Sequence, residues 1–305
     1  MGYKGRKAVD PHVMVAEVVS TKQVTPGMVR VTLGGEGIAA LTLQGYDQWF
    51  RLFLGRPGQD MLRLPTRTSN LGWYAQYLAT PKPNRPWVRS YTIRAARPDL
   101  DEIDVDFVVH TAEDGAVGPG CGFATGCSVG DQVGILDQGV GYNPRHEHDW
   151  TLLVADESGL PAVAGICESL PESTRGLAII EVATDADRQE FRTPAGVEVR
   201  WVLRDSVHDD GRAAIPSAST GVRAEAGTTL VAEVAEDAVG HHAVPGAAAL
   251  EALRAAELLD GTVYAYAIGE SSLATGARRH LVNERGVPKA HVDFVGYWRQ
   301  GHAAQ

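Results

Sequence analysis

The chain is poor in the residues that announce a metal centre or a disulfide framework. Its 305 residues include three cysteines, Cys121, Cys127 and Cys167. None forms a C-x-x-C pair, which excludes an iron–sulfur ligand set and a disulfide-stapled fold, so these cysteines read as packing residues. The histidine clusters "RHEH" (His146, His148) and "GHH" (His241, His242) sit in polar or Gly-rich stretches without the closed ligand set of a real site and read as solvated loops, so no metal site is expected. No apolar run approaches the ~18 residues of a membrane span. The opening "MGYKGRKAVDPHV" has no secretory apolar stretch, and Arg6 stands where a myristoylation signal needs Ser or Thr. A cytoplasmic protein without membrane attachment is expected. Positive charge is scarce overall: 28 Lys and Arg against 38 Asp and Glu leave a net charge of -10. No nucleic-acid partner is expected from such a balance.

What positive charge there is gathers in one place. Between Arg51 and Arg94 stand Arg51, Arg56, Arg63, Arg67, Lys82, Arg85, Arg89 and Arg94 against a single acid, Asp60, whereas 33 acids and 15 bases follow Arg94. This asymmetry makes a local positive field against a repelling background. The same stretch carries Trp73, Tyr74, Tyr77, Trp87 and Tyr91, so a flat anion could be stacked as well as charge-paired. At its end lies "RSYTIR", two guanidiniums framing a ring and a hydroxyl. It reads as a site for a phosphate-bearing cofactor, an aromatic anion or both; a strand with charged ends is the alternative.

Length and a composition of 44% hydrophobic and 22% charged residues suit one large domain or two ordinary ones. Up to about residue 140 the pattern has period two, as in "MVRVTL" (28–33), "WFRLFL" (49–54) and "IDVDFVVH" (103–110). Short alternating runs between Gly and Pro predict an antiparallel sheet closed as a barrel. Beyond "YNPRHEHD", continuous apolar runs such as "WTLLVA" and "LAIIEVA" alternate with the helical patterns of 160–170, 247–259 and 272–284. That grammar predicts a parallel sheet of the nucleotide-binding kind. The polar stretch from Asp205 to Gly246 reads as an elaborated loop, and no repeat is present.

The segments "VRSYTIR", "DVDFVVH", "GDQV", "LLVADESGLPAV", "YAIGES" with "RRHL", and "GYWRQGH" stand in this order. In order and spacing they resemble the siderophore-interacting protein family, flavin-dependent ferric-siderophore reductases of the ferredoxin reductase type, over about residues 12 to 302. The resemblance implies an N-terminal antiparallel six-stranded FAD-binding barrel (1–147) and a parallel-sheet nicotinamide-binding α/β domain (148–305). FAD would be the cofactor, NADH or NADPH the donor with ferredoxin as an alternative, a ferric siderophore the substrate, and the protein a monomer. A flavin takes two electrons and gives one, and siderophore oxygens match Fe(III) better than Fe(II), so no protein ligand to iron is needed.

In the family pattern Arg89 contacts flavin phosphate, Tyr91 packs on the isoalloxazine and Thr92 bonds the ring edge or ribityl, with Ser90 between them. Arg94 is a second candidate for the pyrophosphate. Val108 and His110 end the alternating strand that approaches the flavin. "GPGCGFATG" (118–126) takes the place of a segment that commonly reads G-P-x-S-x-W-A: Gly118, Pro119 and Ala124 match, Cys121 replaces Ser, Phe123 replaces Trp, and Thr125 is a nearby hydroxyl. Its Gly-rich turn opening a helix suits a pyrophosphate. Asp156, Glu157 and Ser158 are expected beside the nicotinamide or its ribose, or else as a plain N-cap. Gly269 and Glu270 end another strand at the same edge. Asp185 or Asp187 could accept from the ribose of NADH and Arg188 could take the 2′-phosphate of NADPH. Arg51, where the family commonly has Lys, and Arg278 and Arg279 of "RRHL" are the expected siderophore contacts. A general NAD(P)H flavin or electron-transfer reductase, and a non-catalytic siderophore-binding module, are the rival readings.

Overall fold

Alternating apolar residues over the first 140 positions build one antiparallel sheet in a computed structural model that describes residues 5–59, 61–67, 72–109, 117–204 and 244–301. Its strands are β1 (Val13–Thr25), β2 (Met28–Gly34), β3 (Gln48–Leu54), β4 (Trp87–Thr92), β5 (Ala95–Arg97), β6 (Glu102–Val108) and β7 (Gln132–Val140), in the spatial order β4-β3-β7-β1-β2-β6-β5. Three short helices accompany it: α1 (Glu36–Ala39), α2 (Gly72–Ala79) and α3 (Pro119–Gly126). Its core gathers Val31, Leu33, Phe50, Leu52, Val105, Phe107 and Ile135. The sheet has seven strands where six are expected, because the stretch from Trp87 to Arg97 divides at Ile93 and Arg94. Ile93 N bonds Gln48 O on the β3 side at 2.8 Å, and Arg94 N bonds Asp104 O of β6 at 2.8 Å. One stretch of chain thus serves both edges of the sheet.

The continuous apolar runs of the second half form a parallel sheet of β8 (Trp150–Ala155), β9 (Arg175–Val182), β10 (Gly196–Leu203), β11 (Val263–Glu270) and β12 (Val292–Trp298). Helices α4 (Leu160–Ser169), α5 (Ala247–Ala255) and α6 (Ser271–Arg279) pack around it. Every residue of β8 and of β11 is buried, since both faces are covered. Leu153, Ala178 and Tyr266 join one core and Leu152, Ile179 and Ala265 the other, the period-two division of a two-faced sheet. The order β10-β9-β8-β11-β12 reverses direction between β8 and β11, the switch point at whose carboxyl edge such sheets bind ligands.

Polar contacts join the two sheets. Gly27 N, at the tip of the β1–β2 hairpin, donates to Asp187 Oδ1 at 2.7 Å. Asp47, fully buried, accepts from Tyr142 N at 2.8 Å and Tyr266 Oη at 3.0 Å; burial raises its pKa against these bonds. Arg94 reaches Glu168 of α4, and Tyr46 N donates to Ser169 Oγ at 2.8 Å.

Candidate functional site

The β3–β4 register sorts the "RSYTIR" residues by face. Leu52 pairs with Arg89 and Phe50 with Tyr91, while Arg51 pairs with Ser90 and Trp49 with Thr92. Opposed residues share a face, so Arg89 and Tyr91 lie on the side opposite Arg51, Ser90 and Thr92. Arg89 is half-buried, donates to Val88 O at 2.8 Å, and has no carboxylate partner among the described residues. The Tyr91 ring lies 4.2 Å from Phe107, and burial pushes its phenol far above the ordinary value. Its hydroxyl fills a notch at Gly120, where a Cβ would stand 1.9 Å from the oxygen. Only glycine fits there, and the contact brings the start of α3 against the strand. Pro119 opens that helix and the bond from Gly122 N to Gly118 O, 2.8 Å, closes its first turn. The N–H groups of Gly120 and Cys121 therefore head the helix next to Tyr91. Cys121 and Ala124 are buried, and the Thr125 hydroxyl is spent on Cys121 O at 2.9 Å. Val108 packs into the core between the sheets, and His110 lies outside the described residues.

On the opposite face the Arg51 guanidinium lies over Trp49 and Trp73, 5.0 and 5.9 Å from their centroids, and donates to Ser90 Oγ at 2.6 Å. Burial lowers its pKa, and its Nε is buried without a partner. Thr92 is buried. Arg56 donates to Arg85 O, and Arg85 to the carbonyls of Leu78 and Thr80 that close α2. Of the eight clustered cations, Arg94 alone pairs with a carboxylate among the described residues. The belt keeps its positive charge. Arg94 itself is held by Glu168 and is not grouped with Arg89.

The structure does unite the residues expected at the switch point. Asp156, fully buried at the end of β8, accepts from Ser158 N at 2.9 Å and Glu270 N at 2.6 Å. Burial and the adjacent Glu157 charge push it up to about 7. Gly269, with φ of +125°, lets β11 pass so close that a Cβ would stand 2.5 Å from this carboxylate. Glu270 caps α6 through Ser272 N; hydrogen bonds hold its pKa low against its burial. Trp298 Nε1 donates to Ser158 Oγ at 3.1 Å, which draws the end of β12 into the group. Glu157 pairs with Arg204, whose Nε also bonds Glu181 at 3.0 Å. Glu181, fully buried, accepts from Gly246 N and Ala249 N at the start of α5.

Other expected residues lie elsewhere. Asp187 is buried and holds Gly27, while Asp185 and Arg188 pair at the surface at 2.9 Å. Arg278 and Arg279 occupy the last turn of α6, about 12 Å along the helix from Ser271. Arg278 lies over Phe294 at 5.1 Å and Arg279 is exposed. His146 is no solvated loop residue: it stacks on His291 at 3.6 Å. His241 and His242 lie outside the described residues, among which no three potential ligands could hold a metal. Sequence reasoning missed Glu168, Glu181, Arg204 and Trp298. Only Trp298, in "GYWRQGH", carried a local signal.

Residues 17–141 match the siderophore-interacting FAD-binding domain, and 148–232 with 214–301 match the siderophore-interacting protein model. The chain belongs to the siderophore-interacting protein family. It is thus an FAD-binding oxidoreductase of the ferric-reductase type with a two-domain architecture. An uncharacterised protein of Mycobacterium tuberculosis is 34% identical over 292 residues, 95% of this chain and 91% of that one. The ferric vibriobactin reductase ViuB of Vibrio cholerae is 27% identical over 286 residues, covering 93% and 89%. A siderophore utilization protein from T. fusca superposes with a TM-score of 0.73 at 30% identity, covering 97% of this chain and 96% of that one.

Proposed function

We propose that this family member uses FAD to reduce ferric siderophores with electrons from a nicotinamide dinucleotide. The observation that carries the reading is Arg89, a guanidinium with no carboxylate partner among the described residues, on the same face of β4 as Tyr91, whose hydroxyl meets the first turn of α3 in the FAD-binding domain. Those donors fit a pyrophosphate. On the opposite face the buried Nε of Arg51, without an acceptor, suits an anionic substrate instead, since a buried donor left unpaired costs about 1–3 kcal/mol. FAD held at Arg89 would supply two-electron chemistry toward a hydride donor and one-electron chemistry toward Fe(III).

This chain's own residues bind and orient. Arg89 and the α3 N–H groups hold phosphate. Tyr91, locked by Gly120 and Phe107, fixes the strand beside them. The Asp156, Ser158, Glu270 and Trp298 network offers a rigid polar edge for nicotinamide ribose. Arg51 and the exposed cations of the belt gather an anionic chelate, which needs only to approach the flavin. Arg278 and Arg279 at the far end of α6 are outer contacts at most. We divide the domains at 147 and 148, between the family matches. We also read the antiparallel sheet as a closed barrel, a reading supported by the single stretch that feeds both its edges. A nicotinamide donor implies work in the cytoplasm, and no helix among the described residues could cross a membrane.

The test is anaerobic stopped-flow spectroscopy on protein purified with FAD. Bleaching of the flavin by NADH or NADPH, then saturable reoxidation by a ferric siderophore faster than by free flavin, is expected. Reduction without siderophore-dependent reoxidation would leave a general flavin reductase. Reduction by ferredoxin alone would replace the nicotinamide donor, and protein that binds no flavin would sink the reading.

A further inference from the structure

The two arginines of "RSYTIR" differ in what they can still bind. Among the described residues Arg89 has no acid partner, whereas Arg94 is 8% exposed and gives both terminal nitrogens to Glu168, at 2.8 and 3.0 Å. Its backbone N is bonded to Asp104 O of β6 at 2.8 Å. Arg94 is therefore anchored by its backbone in the flavin-binding sheet and by its side chain in the last turn of α4. The first turn of α4 directly follows Asp156, Glu157 and Ser158 at the switch point. A rigid ten-residue helix carries any displacement of Glu168 to that edge.

We infer that Arg94 is a positioning residue: its fork onto Glu168 holds α4, and with it the nicotinamide edge, in register with the flavin-binding strand, and it is not a phosphate ligand. The inference rests on the donor reading above. A bidentate fork fixes angle as well as distance. Its loss matters for hydride transfer, where a misplacement of about 1 Å costs on the order of a hundredfold. Other contacts between the sheets, such as those of Asp187 with Gly27 and of Asp47 with Tyr266, keep the domains together without involving α4. α4 also touches Tyr46, whose N donates to Ser169 Oγ and whose O packs on Gly165, so the fork is what ties the helix to the stretch between β4 and β5.

Three variants test this: Arg94→Met, Glu168→Gln, and the exchanged pair Arg94→Glu with Glu168→Arg. In a Cys127→Ser background, nitroxides at Lys22→Cys and Glu198→Cys, both exposed, report the inter-domain distance distribution. For both single variants we expect FAD affinity within about threefold of the parent and flavin reduction at saturating NADH slowed about tenfold or more. The distance distribution should broaden, and the exchanged pair should recover part of the rate. FAD affinity that falls about tenfold in Arg94→Met but not in Glu168→Gln, with the distribution unchanged, would make Arg94 a phosphate ligand and overturn the inference. Rates and distances equal to the parent's in both variants would overturn it too. Should neither nicotinamide reduce the parent, the donor reading fails by itself. The label distances then decide alone: a broadened distribution upholds the positioning role and an unchanged one overturns it.

Discussion

At the residue scale, chemistry depends on which groups still have something to offer. Among the described residues Arg89 bonds only a neighbouring carbonyl, so Arg89→Ala should weaken FAD binding about tenfold or more while leaving the thermal midpoint of the apoprotein nearly unchanged. Fluorescence titration with FAD checks this, and full flavin retention through dialysis would refute it. Asp156 predicts a pH effect of definite sign. Its folded-state value of about 7 lies above the unfolded carboxylate value of about 4, so the folded protein binds the extra proton between those limits. Its contribution to stability therefore falls as pH rises through that window and is level above it. Asp156→Asn removes the slope: the variant's midpoint, whatever its offset, should gain on the parent's from about pH 5 to pH 7. Parallel curves would show that the carboxyl titrates normally. The type of residue made Arg89, Tyr91 and Asp156 legible in the sequence. The pairing of Arg94 with Glu168 was not legible, because Glu168 is 74 positions away and no local pattern reports it.

At the scale of elements, periodicity announced both sheets, and the continuous runs of β8 and β11 announced burial on two faces. The division of β4 from β5 was hidden, since Ile93 and Arg94 do not interrupt the pattern of the strand they break. Arg278 and Arg279 were expected at the cleft because the start of their helix is there; the helix then carries them two turns away. The ends of β8, β9 and β10 meet at Glu157, Glu181 and Arg204, two carboxylates to one guanidinium. This is the edge where a dinucleotide's ribose lies in such sheets, and a 2′-phosphate would add roughly two negative charges there. Calorimetry should therefore find NAD⁺ bound about tenfold more tightly than NADP⁺, with the gap narrowed in Glu157→Gln. Tighter binding of NADP⁺ by the parent would contradict this account and return Arg188 to consideration.

For the molecule as a whole, charge is distributed by half: the cations between Arg51 and Arg94 stand in a chain of net charge -10. Since Arg94 alone of them has a carboxylate partner among the described residues, the field they make is available to a ligand. The KM for a triply negative ferric siderophore should rise with salt, because exposed charges are screened beyond about 8–10 Å near physiological ionic strength. Arg51→Ala should raise that KM with the flavin content unchanged, and a neutral ferric siderophore should respond to neither change. Equal salt sensitivity for both complexes would assign the belt to the cofactors. The strand order has a consequence for synthesis as well. β7, the last strand of its sheet in sequence, lies between β3 and β1 and is the neighbour that joins the β4–β3 pair to the other four strands. Until Gln132–Val140 has left the ribosome, the β3–β4 pair meets the other four strands only through the stretch from Trp87 to Arg97, so the nascent chain completes its cofactor site only as the N-terminal domain ends.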